Sequence, residues 1–215
     1  MKKCGLTVLL AAVMLTALLL GGCSKSDNFE PQQDCLYVRE NGTVAEALFE
    51  VLDQDYYSAD SLQAFIEDAV TRYNSDAAGI ARAYPEDDEQ LPVTISTLEV
   101  DEEGNVTLIM EYANTSHYIG FNGADGLARQ LSTGSVESAI EVGIDLDLGL
   151  TDEDGDTVSI ETIQDHGSYR VVLMQGVAEL QVQGRVMYTS SNVTRVDRDT
   201  VNVDAEDSVA YIIFR

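Results

Sequence analysis

A single run of helical periodicity at residues 60–76 restricts the fold more than any other feature of the chain. Leu62, Phe65, Ile66, Ala69, Val70 and Tyr73 recur on one side while Gln63, Glu67, Asp68 and Arg72 take the other. That spacing predicts an amphipathic helix that lays an apolar stripe on a partner surface. Asp60 with Gln63 has the spacing of a capping box, and Gly79 stands where a helix stop is expected. The flanking sequence offers the partner surface. Residues 35–40 and 43–51 flank Asn41-Gly42, a strong two-residue hairpin signal, and residues 93–100 and 106–112 flank an acidic turn ending in Gly104-Asn105. Two hairpins bracketing one helix predict a β-β-α-β-β layer whose strand order is left open. Between helix and second hairpin, residues 84–89 read as a charged loop, and Pro92 marks where the next strand starts.

The remainder reads mainly as strands. A short helix is expected at residues 136–142, capped by Ser135 and stopped by Gly143. Ile144, Leu146, Leu148 and Leu150 then alternate with Asp145, Asp147 and Gly149, the period of a half-buried strand. Further strands are expected at residues 157–163, 169–174, 178–188, 193–203 and 209–214, separated by turn signals such as Asp154-Gly155 and His166-Gly167. The expected class is α+β and strand-dominated: antiparallel hairpins, one main amphipathic helix packed on a sheet, and a C-terminal β-meander. Residues 35–215 are expected to form a single α+β domain, with a candidate sub-boundary near 123–135.

The chain opens with Lys2 and Lys3, continues through an apolar run at residues 6–20, and reaches Gly21-Gly22-Cys23. This is the order of a charged region, an apolar region and a small-residue cleavage site. The run falls short of the about 20 residues that span a membrane comfortably, so residues 1–22 read as a cleaved signal. Leu20-Gly21-Gly22-Cys23 resembles the lipobox of bacterial lipoproteins, an apolar residue and two small residues before the cysteine that receives lipid. The resemblance implies cleavage after Gly22 and a palmitate-type lipid on Cys23. It also implies a place at the cell membrane, lipid-anchored on the extracytoplasmic face. Residues 23–34 are polar, contain Pro31 and show no sustained period, so they read as a flexible tether.

Lys2, Lys3 and Lys25 are all the lysines of the chain, and the formal net charge is −26. Nucleic acid is therefore not an expected partner, because duplex binding draws on Lys and Arg neutralising phosphates. Solubility and repulsion between copies are the preferred reading of the acidity, with divalent cations, a cationic partner or adaptation to a salty medium as the alternatives. With Cys4 in the signal and Cys23 lipidated, Cys35 has no disulfide partner and reads as a packing residue. Cys35, His117 and His166 lie too far apart in sequence to suggest a zinc site, and no cofactor is expected.

Asp152, Asp154 and Asp156 take alternate positions as in a calcium loop, but Gly155 comes two places early and Ile163 stands where a bidentate Glu belongs. A solvated hairpin turn is the preferred reading, leaving weak cation binding as the remainder. His117 and His166 have polar neighbours, yet no Ser sits in a nucleophile-elbow glycine pattern. The carboxylates are so numerous that a glycosidase pair cannot be singled out. The stretch 120–126 carries Gly120, Gly123 and Gly126 without a following Lys-Ser or Lys-Thr, which excludes a phosphate-cradling loop of that type. It reads instead as a loop at the edge of a groove with Tyr118 and Phe121, and these two with His117 are the candidate ligand-binding residues. Tyr56, Tyr57, Tyr84 and Tyr112 join Tyr118 as aromatic groups on which a sugar can stack, although the chain has no Trp.

Leu36 to Gly42, residues 49–74 with Asp55, Tyr56 and Tyr57, Met110-Glu111-Tyr112, Phe121-Asn122-Gly123 and residues 210–214 are together similar to a group of uncharacterised lipoproteins of Gram-positive gut bacteria. The resemblance implies an envelope location and no particular reaction. The expected function is a noncatalytic binding or interaction module, anchored to the membrane through Cys23 and meeting an envelope protein or glycan. Two alternatives stay open: an envelope hydrolase using a carboxylate pair or a His-containing site, and an acidic cation-responsive spacer.

Overall fold

The computed structural model describes residues 29–52, 58–87 and 89–215. Helix α1 (Ala59–Ala78) occupies the segment with the strong periodicity. Its start differs from expectation. Ser58, in extended backbone, accepts the Ser61 N–H at 3.2 Å while the Ser61 hydroxyl accepts the Ser58 N–H at 3.3 Å. The capping box is therefore formed by these two serines, and Gln63 donates to Glu67 at 2.7 Å instead of closing on Asp60. Gly79 ends the helix at φ 72°. The stripe is also narrower than its periodicity implies. Val70 is buried and Ile66 and Tyr73 pack partly, on one line along the helix, whereas Phe65 is 72 % exposed. Phe65 is rotated about 100° from Ile66 and misses the sheet.

The same line carries a buried polar residue, Asn74. Its Nδ2 donates to the carbonyls of Arg82 at 2.8 Å and Val93 at 2.7 Å, and its Oδ1 accepts the Val93 N–H at 2.9 Å. One amide thereby satisfies three buried backbone groups and clamps α1 to the start of β3 (Val93–Val100).

Both expected hairpins form: β1 (Cys35–Val38) with β2 (Val44–Val51), and β3 with β4 (Asn105–Tyr112). They join through an antiparallel β2–β4 pairing that runs from Val44 opposite Tyr112 to Val51 opposite Asn105. The first turn is one residue longer than Asn41-Gly42 suggests. Arg39 N–H bonds to the Thr43 carbonyl and Gly42 N–H to the Arg39 carbonyl, with Gly42 at φ 87°. Asp101 to Asn105 and Asp152 to Asp156 repeat these two bonds, with Gly104 and Gly155 both at φ 84°. All three turns are three-residue loops whose third residue must be left-handed, which is why each holds glycine there.

The rest of the sheet is organised by two long strands, β6 (Arg170–Val182) and β9 (Thr200–Phe214). The order is β3-β4-β2-β1-β6-β9-β7, with β7 spanning Val186–Thr189, and β1 pairs parallel to β6. β5 (Ala128–Ser135) also pairs with β6, and β8 (Val193–Arg195) with β9. Expected strands 169–174 and 178–188 are thus one long strand and one short one, and expected strand 193–203 is broken by a turn. β6 and β9 pair antiparallel as a long ribbon whose register shifts between Met174 and Gly176, and there the ribbon doubles back. As a result Val186 lies opposite Phe214 at one end of β9 while its N–H bonds at 2.9 Å to the Arg198 carbonyl near the other.

Both faces of this ribbon are covered. Val172, Met174, Ile212 and Phe214 point into a core shared with α1 and α2 (Thr115–Asn122). Val171 and Ile213 point into a second core with Val136 and Ala139 of α3 (Val136–Glu141), Leu146, Leu150, and Ile163 of α4 (Ile160–Gln164). Burial on both faces explains why 210–214 is almost continuously apolar. Two expected strands are not strands. Residues 144–150 form a loop in which the Asp145 carboxylate accepts the Asp147 N–H at 2.9 Å. Leu146 and Leu150 plug the second core from that loop while Leu148 is exposed. Within 157–163, Ser159 caps Thr162 and starts α4, with Ile160 and Ile163 one turn apart. Residues 31–215 form one compact unit.

Candidate functional site

His117, Tyr118 and Phe121 all lie on α2, whose N-terminus is capped by Asn114 accepting the His117 N–H at 3.0 Å. The expected glycine loop is therefore in part the last turn of this helix, which ends at Gly123. A Cβ on Gly120 would stand 2.6 Å from the Tyr73 hydroxyl, so the glycine lets α1 and α2 approach. Phe121 meets Tyr73 edge-on at 5.5 Å, and His117 Nδ1 is 3.2 Å from the Tyr73 hydroxyl. His117 thus faces a tyrosine and not a Ser and an Asp. Tyr118 is fully buried and presents no ring face to solvent.

Tyr118 leads instead to a residue the sequence reading passed over, Glu46 on β2. Glu46 is 2 % exposed. Its Oε2 accepts the Tyr112 hydroxyl at 2.8 Å and Asn122 Nδ2 at 3.0 Å, and its Oε1 accepts the Tyr118 hydroxyl at 3.2 Å. The Tyr118 oxygen in turn accepts the Ala128 N–H at 3.0 Å, so the network ties β2, β4, α2 and the start of β5 together. Burial pushes the Glu46 carboxyl above its ordinary range, opposed by the bonds from Tyr112, Asn122, Tyr118 and the Leu127 backbone. Burial and the nearby carboxylate also raise the Tyr112 and Tyr118 hydroxyls. The signal was present in sequence: Glu46 shares a strand face with the buried Val44, where an apolar residue belongs. The carboxylate is enclosed by its donors, which makes it a latch between elements.

Asp152 Oδ1 accepts the N–H groups of Asp154 and Asp156, both at 3.0 Å, just as Asp101 Oδ1 accepts those of Glu103 and Asn105. The first Asp of the acidic run is therefore engaged in bracing its turn, and Thr151 bridges to Thr157 beneath it. Among the described residues no group of three or more His, Cys, Asp or Glu is arranged to hold a metal ion. Cys35 is buried in β1, and desolvation together with Glu179 and Asp34 pushes its thiol up to about 12. His166 Nδ1 lies 2.7 Å from the Thr162 carbonyl, and its ring packs on Tyr169 at 4.5 Å.

An open groove of about 630 Å³ lies where the two ends of the β6–β9 ribbon meet β7. Its charged lining is Arg185, Arg195 and Arg198 against Glu153 and Asp197. With all lysines outside the described body, arginines supply its basic side chains, and most of the others are engaged elsewhere: Arg39 with Glu111, Arg72 with Asp68, and Arg82 with Glu86 and Glu89. In the groove, Arg185 pairs with Glu153. Arg195 donates to the carbonyls of Val186 at 2.9 Å and Met187 at 2.8 Å, which fixes its guanidinium without neutralising it. Arg198 has an exposed side chain that makes no hydrogen bond or ion pair among the described residues. Arg215 is close by, its backbone paired with that of Arg185 and its guanidinium over the Tyr169 ring at 5.8 Å. Sequence reading missed this convergence because Arg185 and Arg198 belong to different loops.

Gly22, Cys23 and the signal lie outside the described residues, as do Tyr56 and Tyr57. Among the described residues no helix is long and apolar enough to cross a membrane. No protein-family model matches the chain, and no curated protein or solved structure shows significant similarity to it.

Proposed function

We propose that the chain is an extracytoplasmic lipoprotein, anchored to the cell membrane through a lipid on Cys23, that serves as a noncatalytic binding module of the cell envelope. The location is supported by Leu20-Gly21-Gly22-Cys23 at the end of a signal-like segment. The observation that carries the binding role is the arginine-lined groove on an otherwise acidic body. Arg198, exposed and without an ion pair among the described residues, and the unused donors of Arg195 stand beside an open concavity where a ligand can engage them. Glu46, by contrast, is sealed among its own donors and offers a substrate no approach, while the His117 Nδ1 faces the Tyr73 hydroxyl and no nucleophile.

Metabolic labelling with a fatty-acid analogue tests the anchor: wild type takes up label and Cys23→Ala does not. Label persisting in Cys23→Ala removes the proposed attachment. Binding is tested by co-sedimentation of the detergent-solubilised full chain with purified cell-envelope material, whose saturable retention is expected. Retention no greater than that of an unrelated acidic protein counts against the module.

A further inference from the structure

The groove has the parts of an oxyanion receptor. Arg195 is pre-set, since two of its five N–H donors are used on the Val186 and Met187 carbonyls and the remainder stay free. A guanidinium held in one orientation presents a fork that matches a carboxylate or phosphate, with little further entropy lost on binding. Arg198 is the opposite kind of arm, exposed and unattached, and able to close on a bound group. Glu153 is paired with Arg185 and also acts on Arg195 together with Asp152, while Asp197 uses one carboxylate oxygen on the Arg198 backbone N–H at 2.6 Å and keeps its charge, so a bound anion must contact the guanidiniums directly to offset these carboxylates. Val186 and Val196 supply apolar wall beside the charges. A volume of about 630 Å³ exceeds what one small ion needs and suits an anionic group carried on a larger, sugar-sized body.

We propose that this groove binds an oxyanion, a carboxylate or phosphate borne by a larger ligand, with Arg195 as the fixed fork and Arg198 as the mobile arm. The proposal rests on the binding-module reading and specifies the class of ligand for it. The formal charge of −26 repels anions at long range, so recognition here is short-range, and two-point contact by Arg195 and Arg198 supplies it.

Isothermal titration of the full chain in nonionic detergent tests it, with inorganic phosphate in one arm and glucuronate in the other. Saturable binding is expected in at least one arm, and the arm that binds identifies the oxyanion. Arg198→Glu is expected to weaken that binding at least about tenfold, because it replaces an attractive contact by a repulsive one. Arg72→Glu serves as control, changing the charge equally on an exposed face of α1, and is expected to leave binding unchanged. The exposed Arg198 side chain makes no hydrogen bond or ion pair among the described residues, so Arg198→Glu is expected to keep the fold, which circular dichroism checks; Arg195→Lys, keeping charge but losing the fork, is expected to weaken binding as well. Absence of binding in both arms overturns the proposal, as does equal weakening by Arg198→Glu and Arg72→Glu. If envelope co-sedimentation persists in that case, the module stands and only this site falls; anion binding without co-sedimentation has the reverse meaning.

Discussion

The Tyr118 hydroxyl stands between Glu46 and Ala128, donating to the carboxylate at 3.2 Å and accepting the backbone N–H at 3.0 Å. Tyr118→Phe keeps the ring and removes that relay, leaving a buried N–H without its acceptor. A loss of about 1–3 kcal/mol is expected. Urea unfolding measures it, and a variant as stable as wild type would show that the ring alone holds α2 in place.

Glu46 makes stability depend on pH in a definite direction. Its folded-state pKa is raised by burial, so above the ordinary carboxylate range the folded chain holds a proton that the unfolded chain has lost. The linked stability is fully present below that range and is lost as pH rises through the folded value. Relative to Glu46→Gln, wild type should therefore weaken as pH climbs above the ordinary carboxylate range. Unfolding curves at a series of pH values give this difference, and a flat difference would contradict the raised pKa.

Asn74 is expected to be the most damaging single polar position of α1. Asn74→Ala strands the Val93 N–H and frees two carbonyls, an expected loss of about 2–3 kcal/mol. Asn74→Asp keeps an acceptor for Val93 N–H but sets oxygen against the Arg82 and Val93 carbonyls, so it too should destabilise. Chemical denaturation of both variants is the check, and two values near zero would remove the clamp.

Asp152 is committed to its own turn, and so millimolar calcium should leave the thermal midpoint unchanged. Asp152→Ala should lower stability by about 1 kcal/mol or less, since the two N–H groups it serves can turn to water. Differential scanning fluorimetry reads both. A midpoint that rises with calcium in wild type and not in Asp152→Ala would make the turn an ion site.

Sequence disclosed what is decided locally. α1 announces itself because Ile66, Val70 and Tyr73 sit within two turns of one another, and the hairpins because a left-handed glycine marks each turn. Glu46 was readable in principle, from the parity of its position against Val44. Less visible were elements whose stability is borrowed from distant partners. β5 buries only Ala128 and Leu131, too few for an alternating signal. α2 carries a glycine in its interior and its helical state depends on packing under Tyr73. The alternating leucines of 144–150 imitate a strand because residues four apart in a loop can fill a core as residues two apart in a strand do. The arginine groove was beyond local reading altogether, since it exists only after the ribbon doubles back.

Strands β6, β7 and β8 all wait on β9. Until residues 200–214 have been made, β6 lacks its long antiparallel neighbour and the two short strands lack their strand partner. Both cores draw on β9, through Ile212 and Phe214 on one side and Ile213 on the other, so neither can close early. A chain lacking residues 200–214 is therefore expected to leave both cores open, so the last residues made are the ones on which closure of the fold depends.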